Sequence, residues 1–210
     1  MLQNISFAVQ TGKAKDVVAL VQEALDAGHT AQEILDCGLL DGMSIIGTKF
    51  KAGEVFVPEV LIAARALNKG TELLKAKLLE EGVEPIGRAV ICTVQGDMHD
   101  IGKNLVKMML EGAGFEVIDL GVDVPAQRIV QAVQEHEPQV LLLSALLTTT
   151  MQQQQIVIDA LKAAGLRDKV KVMVGGAPVT QNFCDEIGAD IYTPDAATAA
   201  EVAAAIVKRL

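Results

Sequence analysis

Two periods divide the chain. As far as about residue 82 the apolar positions return every three to four residues, the spacing that gathers them on one side of an α-helix. Val17, Leu20, Val21, Ala24 and Leu25 form one such set. Residues 30–33 read TAQE, in which the threonine hydroxyl and the glutamate carboxylate can each satisfy a free backbone N–H at a helix start. Pro58 suits the first turn of a longer helix, where its missing N–H has no bond to lose. Val60, Leu61, Ala64, Leu67, Thr71, Leu74 and Leu78 then line up as one stripe. Residues 1–84 are therefore predicted to be a bundle of about four helices.

EGVEPIG, residues 81–87, carries two glycines and a proline and ends that pattern. Beyond it, short apolar runs (RAVICTV, FEVIDLG, QVLLLSALL, VKVMVGG and ADIYTP) alternate with segments of helical period starting near Ile101, Pro125, Met151, Val179 and Asp195. Such alternation implies right-handed βαβ units and a parallel sheet covered on both faces. Residues 88–210 are predicted to form an α/β domain, a flavodoxin-like (Rossmann-like) doubly wound five-stranded parallel sheet. The tract QQQQ at 152–155 is expected to be the solvated start of a helix.

Composition narrows the picture. Half of the 210 residues are apolar, but with no Trp and one Tyr they are mainly aliphatic, as suits helices packed on a parallel sheet. A net charge of −9 argues against a nucleic-acid partner, because sequence-independent binding rests on neutralising phosphates with Lys and Arg. Cys37, Cys92 and Cys184 are far apart, contain no C-x-x-C pair and are each expected to be small buried hydrophobes. The N-terminus lacks the basic start and apolar centre of a signal peptide, and no apolar run reaches membrane-spanning length. A soluble cytoplasmic protein with no membrane partner is expected.

Ligands of an open α/β sheet bind outside the carboxyl ends of its strands, where strand order reverses. The predicted ends carry Gly96, Asp97, His99, Asp100 and Gly102; Gly121 and Asp123; Ser144, Thr148, Thr149 and Thr150; Gly175, Gly176 and Ala177; Thr193 and Pro194. GDMHDIG is neither G-x-G-x-x-G nor a G-K-[ST] loop, and its Met and His stand where a phosphate needs bare backbone. A phosphate-accepting receiver domain would need an aspartate where this chain has Ser144. A closed zinc site fails too, since His99 has no nearby thiolate or second histidine in the sequence. A lone histidine at a loop is as often a locally hydrogen-bonded residue as a ligand. It becomes a decisive ligand if the metal arrives already held by a macrocycle that leaves an axial position open.

Asp97-x-His99-x-x-Gly102, Ser144-x-Leu146 and Gly175-Gly176 together resemble the D-x-H-x-x-G, S-x-L and G-G signature of cobalamin-binding domains. FKAGEVFVPEVL, residues 50–61, is similar to the helical cap of the methyl-transferring members, and SALLTTTM, residues 144–151, to the corrinoid proteins of methanogen and acetogen methyltransferase systems. The likeness implies a corrinoid cofactor, cobalamin, methylated in turnover, with His99 as lower axial ligand to cobalt. It implies Asp97 as acceptor for the other ring nitrogen and Thr150 as third member of the relay. Gly96, Met98, Asp100, Ile101, Gly102, Leu146, Thr148 and Ala177 would join the cofactor's surroundings, with Asp100 also expected to cap the helix near Ile101. Ser144, Gly175 and Gly176 would leave room for the cofactor's tail, and Phe50 and Val57 would shield its upper face. The implied partners are a substrate-specific methyltransferase, an acceptor methyltransferase and a reductive activating protein for Co(II), with cobalt alternating between Co(I) and methyl-Co(III). A cobalamin-binding subunit of an adenosyl-dependent mutase shares the three motifs but pairs them with a substrate barrel. A cobalamin-dependent regulator would add a basic DNA-binding module, and neither half shows a basic recognition helix.

Overall fold

In the computed structural model, which describes residues 1–209, the chain separates into a helical unit, Met1–Pro85 with Glu111–Gly114, and an α/β unit formed by Ile86–Leu110 and the chain from Phe115 onward.

The helical unit contains α1 (Leu2–Gln10), α2 (Ala14–Asp26), α3 (Ala31–Ile34), α4 (Asp41–Lys51) and α5 (Val57–Glu80). A π-helical turn, Leu35–Leu40, joins α3 to α4 without a break, so the helices form four rods. The predicted cap at Thr30 is reciprocal. Glu33 N–H donates to Thr30 Oγ1 at 3.1 Å, and Thr30 N–H donates to Glu33 Oε2 at 3.2 Å. The Glu81 carboxylate accepts the next two free donors, Ala31 N–H and Gln32 N–H, at 2.9 and 3.2 Å.

Pro58 stands in the first turn of α5, as expected, but the buried face of that helix is not quite the predicted stripe. Val60, Ala63, Ala64, Ala66, Leu67, Gly70 and Leu74 are buried, whereas Leu61 is exposed. Small residues hold this face because its neighbours press close: a Cβ on Gly70 would run into the side chains of Leu39 and Val17. Cys37, on the π turn, is exposed and not the buried hydrophobe expected, while Cys92 and Cys184 are buried.

The α/β unit has the expected doubly wound form. Its strands are β1 (Arg88–Thr93), β2 (Glu116–Asp119), β3 (Val140–Ser144), β4 (Lys171–Gly175) and β5 (Ile191–Tyr192), in the spatial order β2-β1-β3-β4-β5 with every pair parallel. Helices α6 (Ile101–Gly112), α7 (Ala126–His136), α8 (Gln152–Ala163), α9 (Gln181–Ile187) and α10 (Ala196–Val207) alternate with them. Alternate strand residues Val90, Cys92, Leu141, Leu143, Val172 and Val174 share one core with Ile129 and Val133 of α7, Val157, Ile158 and Leu161 of α8 and Phe183 of α9. The intervening residues Ala89, Ile91, Leu142 and Met173 point the other way and are buried as well, which explains apolar runs without alternation. Each large aliphatic side chain so buried contributes about 1.5–3 kcal/mol. The order reverses between β1 and β3, so a crevice at their carboxyl ends is the binding position of this topology.

Candidate functional site

Beyond β1 the chain turns sharply, with Asp97 N–H donating to Val94 O at 3.2 Å and Gly96 at φ +80°, where a side chain would be strained. The turn carries Asp97 inward until it is 0% exposed, and its carboxylate accepts four hydrogen bonds. Oδ1 accepts from His99 N–H at 3.1 Å and from His99 Nδ1 at 2.7 Å. Oδ2 accepts from Leu146 N–H at 2.8 Å and from Thr150 Oγ1 at 2.7 Å. One carboxylate thus ties the loop after β1 to the loop after β3. Burial by itself would raise the Asp97 pKa; the bonds from Thr150, Leu146 and His99 outweigh it and hold the carboxyl well below the usual carboxylate range.

An ionised carboxylate only accepts, so the Nδ1 of His99 must carry the proton and, in the neutral ring, Nε2 keeps its lone pair. The His99 side chain is 51% exposed, and its carbonyl accepts from Thr93 Oγ1 at 2.8 Å, which secures the backbone behind the ring. No group of three His, Cys, Asp or Glu side chains suited to a metal exists among the described residues. The site therefore offers a metal one oriented imidazole nitrogen.

Large apolar side chains stand exposed at the same strand ends: Met98 at 69%, Ile101 at 75% and Leu146 at 41%. Asp100 accepts Asn104 N–H on its carbonyl, as an N-cap residue does, but its carboxylate accepts the Asn104 side-chain amide at 3.1 Å. Above Gly102 lies open space. Ser144 pairs with Gly175 in the last register of β3 and β4. Gly176, at φ +128°, lies against the Ala145 carbonyl so closely that no Cβ fits. Thr148 and Ala177 are exposed. Phe50, in the last turn of α4, and Val57, at the start of α5, are half-buried in the helical unit.

Gln154 corrects the reading of the glutamine tract. Gln152 and Gln155 are exposed, but Gln154 is 0% exposed, and its Nε2 donates to Leu143 O at 2.9 Å and Gly175 O at 3.2 Å. It bridges the ends of β3 and β4, and its Oε1 is buried without a partner. Lys103 is a second buried polar residue near these strand ends. Its buried Nζ donates to both Asp119 oxygens and to Asn104 Oδ1, each at 2.7 Å, fastening the first turn of α6 to the end of β2. Its partner Asp119 lies 16 positions away, so the pair leaves no local mark in the sequence. Burial pushes the neighbouring Cys92 thiol up to about 12, with the Asp119 charge adding to the effect, so this cysteine is not a nucleophile.

A family profile described as a B12 binding domain matches residues 87–204, and a second of the same description matches residues 1–75. The chain belongs to the B12-binding family. Relatives within it include the trimethylamine corrinoid protein of Methanosarcina barkeri, 47% identical with 89% of this chain and 88% of that one covered. The monomethylamine corrinoid protein 2 of Methanosarcina acetivorans is 42% identical, with 99% and 98% covered. Among solved structures, the methanol:cobalamin methyltransferase complex of Methanosarcina barkeri aligns with a TM-score of 0.89 and 35% identity over 98% of this chain and 79% of that one. A cobalamin-binding protein from Desulfitobacterium hafniense DCB-2 aligns with a TM-score of 0.81 and 34% identity over 98% of both chains. The B12-binding assignment fits the residues present: one oriented imidazole, apolar side chains exposed beside it and a buried acceptor at Gln154 with no donor.

Proposed function

We propose that this chain is the corrinoid-carrying subunit of a methyltransferase system, taking a methyl group from a substrate-specific methyltransferase and delivering it to an acceptor methyltransferase. The observation that carries the reading is the Asp97 carboxylate, which fixes the His99 tautomer while anchored to Leu146 and Thr150. When bound, cobalamin supplies a cobalt that is methylated and demethylated in turnover. His99 Nε2 would be the nitrogen offered to the cobalt, Asp97, itself held by Thr150, would keep the proton on Nδ1, and Ser144, Gly175 and Gly176 would leave space for the tail of the cofactor. Met98, Ile101 and Leu146, exposed beside the histidine, would cover the apolar part of the ring and exclude water from it.

Relatives that match over the helical and α/β units alike are named for trimethylamine, dimethylamine and monomethylamine. That spread favours a carrier whose donor is selected by its partner, and it favours a carrier over a mutase subunit. A reductive activating protein that rescues oxidised cobalt completes the proposed set of partners.

Expression or refolding with cobalamin tests the reading. About one corrinoid per chain is expected, with a histidine nitrogen in place of the benzimidazole. His99→Ala is expected to bind more weakly and to give a base-off absorption spectrum. A wild-type protein that stays colourless after reconstitution would sink the proposal.

A further inference from the structure

Asp123, in the loop between β2 and α7, is one of two non-glycine residues with positive φ among those described, at +53°. The other, Glu137, is the left-handed C-cap of α7, a common place for that conformation. Asp123 ends no helix. Its backbone conformation has another effect: both its side chain and its main chain meet the turn that carries the histidine. Asp123 Oδ1 accepts from Gly96 N–H at 2.7 Å, and Asp123 N–H donates to Asp97 O at 2.9 Å. The loop is itself secured against β1 by Thr93 N–H to Gly121 O at 2.9 Å and Val124 N–H to Thr93 O at 3.1 Å. The Gly96–Asp97 segment is therefore gripped from the β2 side by Asp123 and from the β3 side by Leu146 and Thr150.

We infer that Asp123 is a positioning residue for cofactor ligation: through the backbone of Gly96 and Asp97 it holds the Asp97–His99 pair in the ligating arrangement before the corrinoid arrives. The inference rests on the proposed corrinoid function. A left-handed backbone costs an aspartate less than most residues but still has to be maintained by its surroundings. A loop held in advance binds its ligand without an ordering cost at that moment.

Three chains separate the grip from the backbone conformation. Asp123→Gly accepts φ +53° without strain and removes the acceptor; Asp123→Asn tolerates the same φ and keeps an acceptor oxygen. Cobalamin titration of each purified chain, amide hydrogen exchange at Gly96 in the cofactor-free form, and nitrogen hyperfine splitting in the Co(II) electron paramagnetic resonance spectrum are the readouts. For Asp123→Gly the expected results are faster Gly96 exchange, affinity about tenfold to a hundredfold weaker, and a bound fraction that has lost histidine nitrogen splitting at saturation. Asp123→Asn is expected to restore all three. Wild-type affinity and splitting in Asp123→Gly would overturn the inference, as would a folded Asp123→Asn that is mostly base-off; the second result decides even if the glycine variant does not fold. Wild-type protein that takes up no cobalamin overturns the corrinoid function instead.

Discussion

Asp97→Asn changes one atom of the most connected side chain in the site, and its consequence can be worked out donor by donor. An amide has one oxygen for the four donors that the carboxylate serves, so two of them meet an NH2 group. The Thr150 hydroxyl can rotate to accept, and the His99 ring can move its proton to Nε2 and accept at Nδ1. Leu146 N–H and His99 N–H cannot adapt. Leu146 makes the shorter bond, 2.8 Å against 3.1 Å, so the oxygen stays with Leu146 and Thr150 and the NH2 turns to His99. The ring is then driven to the tautomer with hydrogen on Nε2, which has no lone pair for a metal; asparagine in place of a histidine-orienting aspartate selects the wrong tautomer in this way. One partly buried N–H facing a donor costs about 1–3 kcal/mol, which lowers the melting temperature of the cofactor-free protein by about 2–12 °C. Nitrogen NMR of His99 in the cofactor-free chain reads the tautomer, and a cobalamin titration reads ligation, expected to be base-off and about tenfold to a hundredfold weaker. If the variant kept its proton on Nδ1 and bound cobalamin with wild-type histidine ligation, the donor-by-donor reasoning would be refuted.

Thr150→Val removes a hydroxyl bonded to a carboxylate, so a loss of about 1.5–3 kcal/mol in urea denaturation is expected, with Thr150→Ser close to wild type. Because the Asp97 carboxyl titrates lower in the folded chain than in the unfolded one, the stability it contributes is complete above about pH 4 and is lost as pH falls toward the folded value. Denaturation curves of the cofactor-free protein should therefore weaken below about pH 4, less steeply in Asp97→Asn. Gln154→Leu gives up two bonds to strand-end carbonyls but also removes the unpartnered Oε1, so calorimetry should find the cofactor-free stability changed by no more than about 1 kcal/mol.

The sequence disclosed the elements with strong periodicity. All five strands, the capping box at Thr30 and Pro58 in a first helical turn lie where the pattern places them, because each is decided by neighbours in the chain. The π turn at Leu35–Leu40 left no such trace: one residue more in a helical turn does not disturb an apolar period enough to be seen. The stripe on α5 shifted from Leu61 to Ala63, Ala66 and Gly70 because helix packing rewards closeness as well as apolarity. In the site, the pairing of Asp97 with His99 is the one that the likeness to cobalamin-binding domains implies. The grip of Asp123 on Gly96 spans 27 positions and that of Gln154 on Gly175 spans 21, distances that only the parallel sheet closes. Gln154 is obscured for a further reason, since a run of one polar residue type hides the member that the helix turns inward.

The sheet's outermost strands are its shortest. β2 has four residues and β5 only two, against six in β1 and five in each of β3 and β4. An unpaired strand margin is a template on which another chain can add itself, and its length sets how many rungs that chain could gain. Two to four rungs per side are too few to hold an intruding strand, so this domain can expose its strand-end loops while giving little purchase for the edge-to-edge aggregation that longer margins invite.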